Sequence, residues 1–143
     1  ERAMQDSRFA VLATESDGQP HASLIAITPI EGFRQIVFAT YRSTIKYRNL
    51  LQNSRVAVLI EVRDLGNSGF DEDFVLTAFG GAVEINIAEN EADLYAHLKR
   101  HPDLEVFLRS SDCALIRVTF NKFQVVHGID DVSWWTVDDL GTT

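Results

Sequence analysis

At 143 residues, 45% hydrophobic and 24% charged, the chain is long enough for one well-formed core and ordinary in composition for a globular domain. A net charge of −8 and a pI near 4.8 argue against nonspecific binding to nucleic acid or to an anionic membrane surface. No apolar run approaches the roughly 20 residues of a membrane span, and a lone Cys113 excludes an internal disulfide, so a reducing cytoplasm is expected. The chain opens on Glu1 rather than Met, and residues upstream are expected in the native protein.

Glu1 to Ser7 is polar and is expected to be the end of a helix. Arg8 to Glu15 alternates as a strand with both faces largely apolar, the pattern of a strand covered on both sides. Ser16-Asp-Gly-Gln19 is a hairpin turn, because Asp-Gly readily supplies positive φ. His21 to Ile27 follows at period two, placing His21, Ser23, Ile25 and Ile27 on one face and Ala22, Leu24 and Ala26 on the other. Pro29 is expected to end regular pairing. The third strand runs to Thr40, and Thr44 to about Asn53 is a short helix presenting Tyr47, Leu50 and Leu51, with Ser43 or Thr44 as N-cap.

Arg55 to Val62 is another strand with two apolar faces, residues 64–73 form a glycine-containing loop, and Phe74 to Ile87 is a long strand. Gly80-Gly81 marks a bulge, a bend or a close backbone approach within it. A helix opens near Asn90, Pro102 interrupts it, and Leu104 to Leu108 makes a further turn or two. Cys113 to Val126 is the sixth strand, broken or bulged at Asn121-Lys122. Six strands with near-sequential hairpins imply one mainly β domain, an antiparallel barrel, since most connections are too short for a crossover helix.

The most informative stretch joins the third strand to its helix. From Gly32 to Ile60 there are five cations (Arg34, Arg42, Lys46, Arg48 and Arg55) and no acid. Residues 1–60 carry a net +2 and residues 61–143 a net −10, together the −8 of the whole. Arg42 and Lys46 crowd a helix N-terminus, whose unpaired N–H groups and partial positive charge disfavour cations unless an anion binds there. Strand, hydroxyl-rich turn, helix start and flanking cations describe a site for a phosphate on a small ligand. The alternative is a solvated basic helix face.

Three segments carry a family likeness. They are Leu12-Ala-Thr-Glu-Ser-Asp-Gly-Gln-Pro-His-Ala-Ser23, then Val37-Phe-Ala-Thr-Tyr-Arg-Ser-Thr-Ile-Lys-Tyr-Arg-Asn-Leu50 with Asn53-Ser-Arg-Val56, and the glycine-bearing strand Leu76 to Glu84. On these the chain resembles the FMN-binding split-barrel family related to pyridoxamine 5′-phosphate oxidase, over about residues 8–128, leaving 129–143 as a tail. The resemblance implies a six-stranded split barrel and a homodimer with FMN at the subunit interface. It implies that Arg42, Ser43, Thr44 and Lys46 hold the FMN phosphate. His21, Ala22, Ser23, Leu24 and Ile25 would run along the flavin, and Thr40 would sit near the ribityl chain or ring. An FMN-dependent oxidoreductase of unknown substrate is the expected activity. The alternatives are a flavin- or haem-binding protein without catalysis, or a reductase using a deazaflavin, whose acidic tail wants more cations than this chain offers. The tail Val132-Ser-Trp-Trp-Thr-Val-Asp-Asp-Leu140 is acidic, and no Arg follows Arg117, so the basic substrate-phosphate segment of the oxidases proper is missing.

The remaining candidates have a structural and a functional reading. Trp134 or Trp135 is placed to stack on a flavin or cap a partner's site, or else packs on its own barrel. Strand neighbours face opposite ways, so one of the two at most meets a ligand. His97 and His101 share metal-pair spacing but lack a third ligand, and read as helix packing. No metal is expected. His127 before Gly128 is a candidate haem ligand, and Cys113 reads as a core thiol.

Overall fold

The computed structural model describes residues 8–62 and 74–140. The expected loop at 64–73 and the polar opening segment lie outside them. β1 (Phe9–Ser16) and β2 (Gln19–Ala26) form the expected hairpin, closed by Asp17 and Gly18 at φ of 54° and 82°. Two successive positive φ values give the turn whose twist matches the flanking strands, and Asp-Gly adopts it at low cost. β3 (Thr28–Ile30) and β4 (Gln35–Tyr41) lead into α1 (Ile45–Gln52), then β5 (Arg55–Val62) and β6 (Phe74–Ile85). A helical excursion follows: α2 (Glu91–Arg100), a single 3₁₀ turn (Pro102–Leu104) and α3 (Glu105–Leu108). β7 (Cys113–Gly128), β8 (Asp131–Thr136) and α4 (Val137–Leu140) complete the chain.

All eight strands form one antiparallel sheet in the order β2-β1-β5-β6-β7-β4-β3, with β8 also on β7. The six expected strands are present, and β3 and β8 are short additions. Pro29 does pair, opposite Ile36, because β3 lies at the sheet edge where a missing N–H leaves nothing unsatisfied. The sheet curls without closing, a split barrel. Leu12, Ile36, Phe38, Val58, Ile60, Leu76 and Ile116 fill its interior and are fully buried.

Register places the bulge. Phe79 pairs with Lys122 but Gly80 with Phe120, so Asn121 is the extra residue and β7 runs through it unbroken. A Cβ on Gly80 would lie 2.0 Å from the carbonyl oxygen of Thr119, so the backbones meet there as only glycine allows. The bulge is also where β7 changes neighbours, its first half pairing with β4 and its second with β8.

The two-sided covering expected for β1 and β5 holds on one face only. Val11 pairs with Leu24 on one side and Leu59 on the other, so the three side chains share the outer face. Leu24 is 70% and Leu59 42% exposed, and Phe9 also lies open. Nothing else in the described chain covers this apolar strip.

Candidate functional site

α1 is set by side chains at both ends. Thr44 caps it, accepting from the N–H of Tyr47 at 3.3 Å while donating to the carbonyl of Tyr41 at 2.9 Å. Asn53 closes it, as the sequence suggests. Its inward face differs from expectation. Leu51 is exposed, whereas Asn49 is buried and donates to Thr14 of β1 at 3.0 Å. That buried amide–hydroxyl bond fixes the helix against the sheet, since leaving either group unpaired would cost about 1–3 kcal/mol.

The start of α1 opens on a cleft of about 430 Å³ at the seam where β2 approaches β4. The ends of those strands, Leu24 to Ala26 and Ala39 to Tyr41, form two walls. Thr44 and Lys46 form a third, and His97, Leu104 and Phe107 reach in from the helical excursion, Phe107 edge-on to Tyr41 at 4.6 Å. Thr40 and Thr44 share a hydrogen bond of 2.8 Å. Among the described residues, no acidic side chain lines this cleft. Lys46 is half-buried and makes no ion pair among the described residues, and burial pushes its ammonium below the ordinary value. Here a carbon-lined slot, two hydroxyls, a helix start and one uncompensated cation meet.

Arg42 does not share that wall. It lies in a second cleft of about 330 Å³, where it donates to the carbonyl of Ser111 at 3.0 Å and to Glu84 at 2.6 Å. The Tyr47 hydroxyl donates to the other Glu84 oxygen at 2.6 Å. Burial alone would push the Glu84 carboxyl up, but the bonds from Tyr47 and Arg42 outweigh it and hold it below the usual range. Ser43 is exposed and reaches Asp112 at 3.4 Å. The two expected anchors, Arg42 and Lys46, therefore face different clefts.

Of the β2 candidates, Leu24 and Ile25 line the first cleft, whereas His21, Ala22 and Ser23 do not. His21 and Ser23 face inward, each with a buried side-chain atom that has no partner among the described residues, and Ala22 faces out. Trp134 and Trp135 also lie away from it. Trp134 stacks on Phe79 at 5.8 Å beneath the Lys122 ammonium, and Trp135 pairs with Phe123. His127 contacts the Phe74 ring and lines neither cleft. Cys113 is 3% exposed and burial pushes its thiol up, which suits a core thiol.

Sequence reasoning missed Phe107, Leu104 and His97 as cleft residues. His97, which shares metal-pair spacing with His101 but reads as helix packing, does pack: its Nδ1 meets Thr28 Oγ1 at 2.8 Å, and His101 Nε2 donates to the carbonyl of Ile27 at 2.8 Å. Together they pin α2 to the corner between β2 and β3.

Known proteins place the chain. The sequence pattern of the pyridoxamine 5′-phosphate oxidase family matches residues 1–127. No curated protein matches in sequence. Among solved structures, a haem-binding protein from Mycobacterium smegmatis is 19% identical with a TM-score of 0.79, covering 97% of this chain and 59% of its own. An Agrobacterium tumefaciens protein of unknown function is 25% identical with a TM-score of 0.76, covering 97% of this chain and 58% of its own. This chain thus spans under two thirds of both. An FAD-binding protein from Mesorhizobium loti is 15% identical with a TM-score of 0.67, covering 85% of this chain and 87% of its own. Among the described residues, no helix is long and apolar enough to cross a membrane.

Proposed function

The chain belongs to the pyridoxamine 5′-phosphate oxidase family, and on that premise we propose that it binds FMN noncovalently in the cleft at the start of α1 and acts as a flavin-dependent oxidoreductase. The observation that carries this reading is Lys46: a half-buried cation, without an acidic partner among the described residues, beside a helix N-terminus in an otherwise uncharged cleft. An ammonium in that setting is costly until an anion neutralises it. The residues fit the cofactor. Lys46 and Thr44 are assigned to the phosphate, Thr40 to the ribityl chain, and Leu24, Ile25 and Phe107 to the ring, while Arg42 and Ser43 are held by Glu84 and Asp112 outside this cleft. Bound flavin supplies hydride or electron transfer; this chain's residues bind it, orient it and exclude water from its apolar side. No side chain of the cleft is assigned as acid or base, and the acidic tail gives no reason to place a phosphorylated substrate there.

We assign the uncovered strip around Leu24, Val11 and Leu59 to a second copy of the chain, making the protein a homodimer. An exposed apolar patch continuous across three strands is the ordinary mark of an interface. Trp134 and Lys122 lie on the same outer face, since Trp134 pairs with Gln124, which follows in register from Thr77 and Leu59. The test of the cofactor is a visible spectrum of the purified protein with and without added FMN. Saturable quenching of flavin fluorescence at one per chain is expected. A colourless protein that leaves FMN fluorescence unchanged would overturn the proposal.

Haem is the second reading, favoured by the fold shared with the haem-binding Mycobacterium smegmatis protein. A sharp haem band that disappears in His127→Ala would replace the flavin with haem.

A further inference from the structure

His97 has a feature that its packing role leaves unexplained. Its side chain is 0% exposed, its Nδ1 is engaged by Thr28, and its Nε2 is buried without any partner among the described residues. His97 is also among the residues that line the α1 cleft, alongside Thr40, Lys46 and Phe107. A buried polar atom left unpaired costs about 1–3 kcal/mol, so such an atom in a binding cleft marks a place where a ligand atom belongs. Thr28 is itself 5% exposed, and the His101 ring lies 4.9 Å away, tethered to the carbonyl of Ile27.

We propose that His97 is a ligand-binding residue of this cleft, its Nε2 hydrogen-bonding a polar edge of the bound heteroaromatic ring. This rests on the flavin reading above and extends it to a residue that nothing else assigns. The chemistry suits a ring carrying both carbonyl and N–H groups, as the pyrimidine part of a flavin does. Thr28 can donate to Nδ1, leaving Nε2–H to donate to a carbonyl; or it can accept from Nδ1–H, leaving Nε2 to accept from an N–H. Burial first, then His101 and Arg100, hold the imidazole down to about 4, so a neutral ring with this choice of tautomer is present at neutral pH. Lys46 reads the anionic end of the ligand and His97 its ring.

The test compares His97→Asn, whose amide keeps the Thr28 contact but has nothing at the Nε2 position, with His97→Gln, whose amide reaches that position. Each is titrated with FMN and, separately, with riboflavin, which lacks the phosphate. His97→Asn is expected to weaken both ligands by about tenfold, while His97→Gln stays within about threefold of the natural protein. In the unsubstituted protein, the ¹⁵N resonance of His97 Nε2 is expected to shift on adding FMN, a readout independent of how well a variant folds. Equal affinities in the Asn variant, or a resonance that does not move while FMN saturates the protein, would overturn the inference and leave the flavin reading standing. An unsubstituted protein that binds no FMN would overturn both.

Discussion

Arg42 donates to the Glu84 carboxylate at 2.6 Å, reaching from the turn before α1 across to β6. Tyr47, from the first turn of the helix, holds the other oxygen of the same carboxylate. One of the two cations at this helix start is therefore already balanced by an acid brought 42 positions through the sequence. The helix carries no acid of its own in its first turn, so Lys46 keeps the local charge unbalanced on the side that faces the first cleft. The asymmetry matters because a phosphate is drawn to the cation that lacks a carboxylate.

Lys46→Ala should accordingly weaken FMN by about ten- to a hundredfold, the range of one lost charge-assisted hydrogen bond. Arg42→Ala should cost less, and mainly loosen the contact between the turn and β6. Fluorescence titration of both variants decides the order. If Arg42→Ala has the larger effect, the phosphate sits in the second cleft with Arg42.

The close approach at Gly80 predicts a sharp contrast between neighbours. Gly80→Ala places a methyl 2.0 Å from the Thr119 oxygen, backbone that cannot move without breaking the β6–β7 ladder. A loss of about 2–4 kcal/mol, or failure to fold, is expected. At Gly81 the nearest atom is 4.0 Å away, so Gly81→Ala should lie within about 1 kcal/mol of the natural protein. Urea unfolding of the pair checks this, and equal losses would contradict the register.

Much of this was legible in the residues because the signals were local. The Asp17-Gly18 turn, the Thr44 and Asn53 caps and the paired glycines of β6 each declare a backbone requirement within a few positions. What the sequence hid was contact between distant segments. That Glu84 would claim Arg42 depends on β6 passing α1. Asn49 lies outside the set Tyr47, Leu50 and Leu51 that the spacing picks out, and nothing near it in sequence announces Thr14 as its partner. Phe107 entered the cleft through a helical excursion whose docking is set by His97 and His101. Period and spacing report which face a residue takes, but not what lies across from it.

The uncovered strip predicts the assembly. The unsubstituted protein should sediment as a dimer, and Leu59→Asp, which puts a carboxylate in the middle of the strip without touching the α1 cleft, should shift it to monomer. A monomeric unsubstituted protein would leave the strip without its assigned partner.

His97 makes stability depend on pH in a window of its own. Its folded value lies near 4 because of burial, with His101 and Arg100 adding repulsion, while an unfolded imidazole titrates near 6.5. Between those values the unfolded chain holds a proton that the folded chain refuses, so stability rises with pH. The contribution is complete above about pH 6.5 and is lost as pH falls through 4, roughly 2–4 kcal/mol in all. Glu84, also held below its ordinary value, loses its contribution at lower pH, beneath the ordinary carboxylate range. Urea unfolding at pH 7, 5.5 and 4.5 should therefore show a steady decline in the natural protein and a flatter course in His97→Gln. Equal slopes in the two would move the titrating group away from His97.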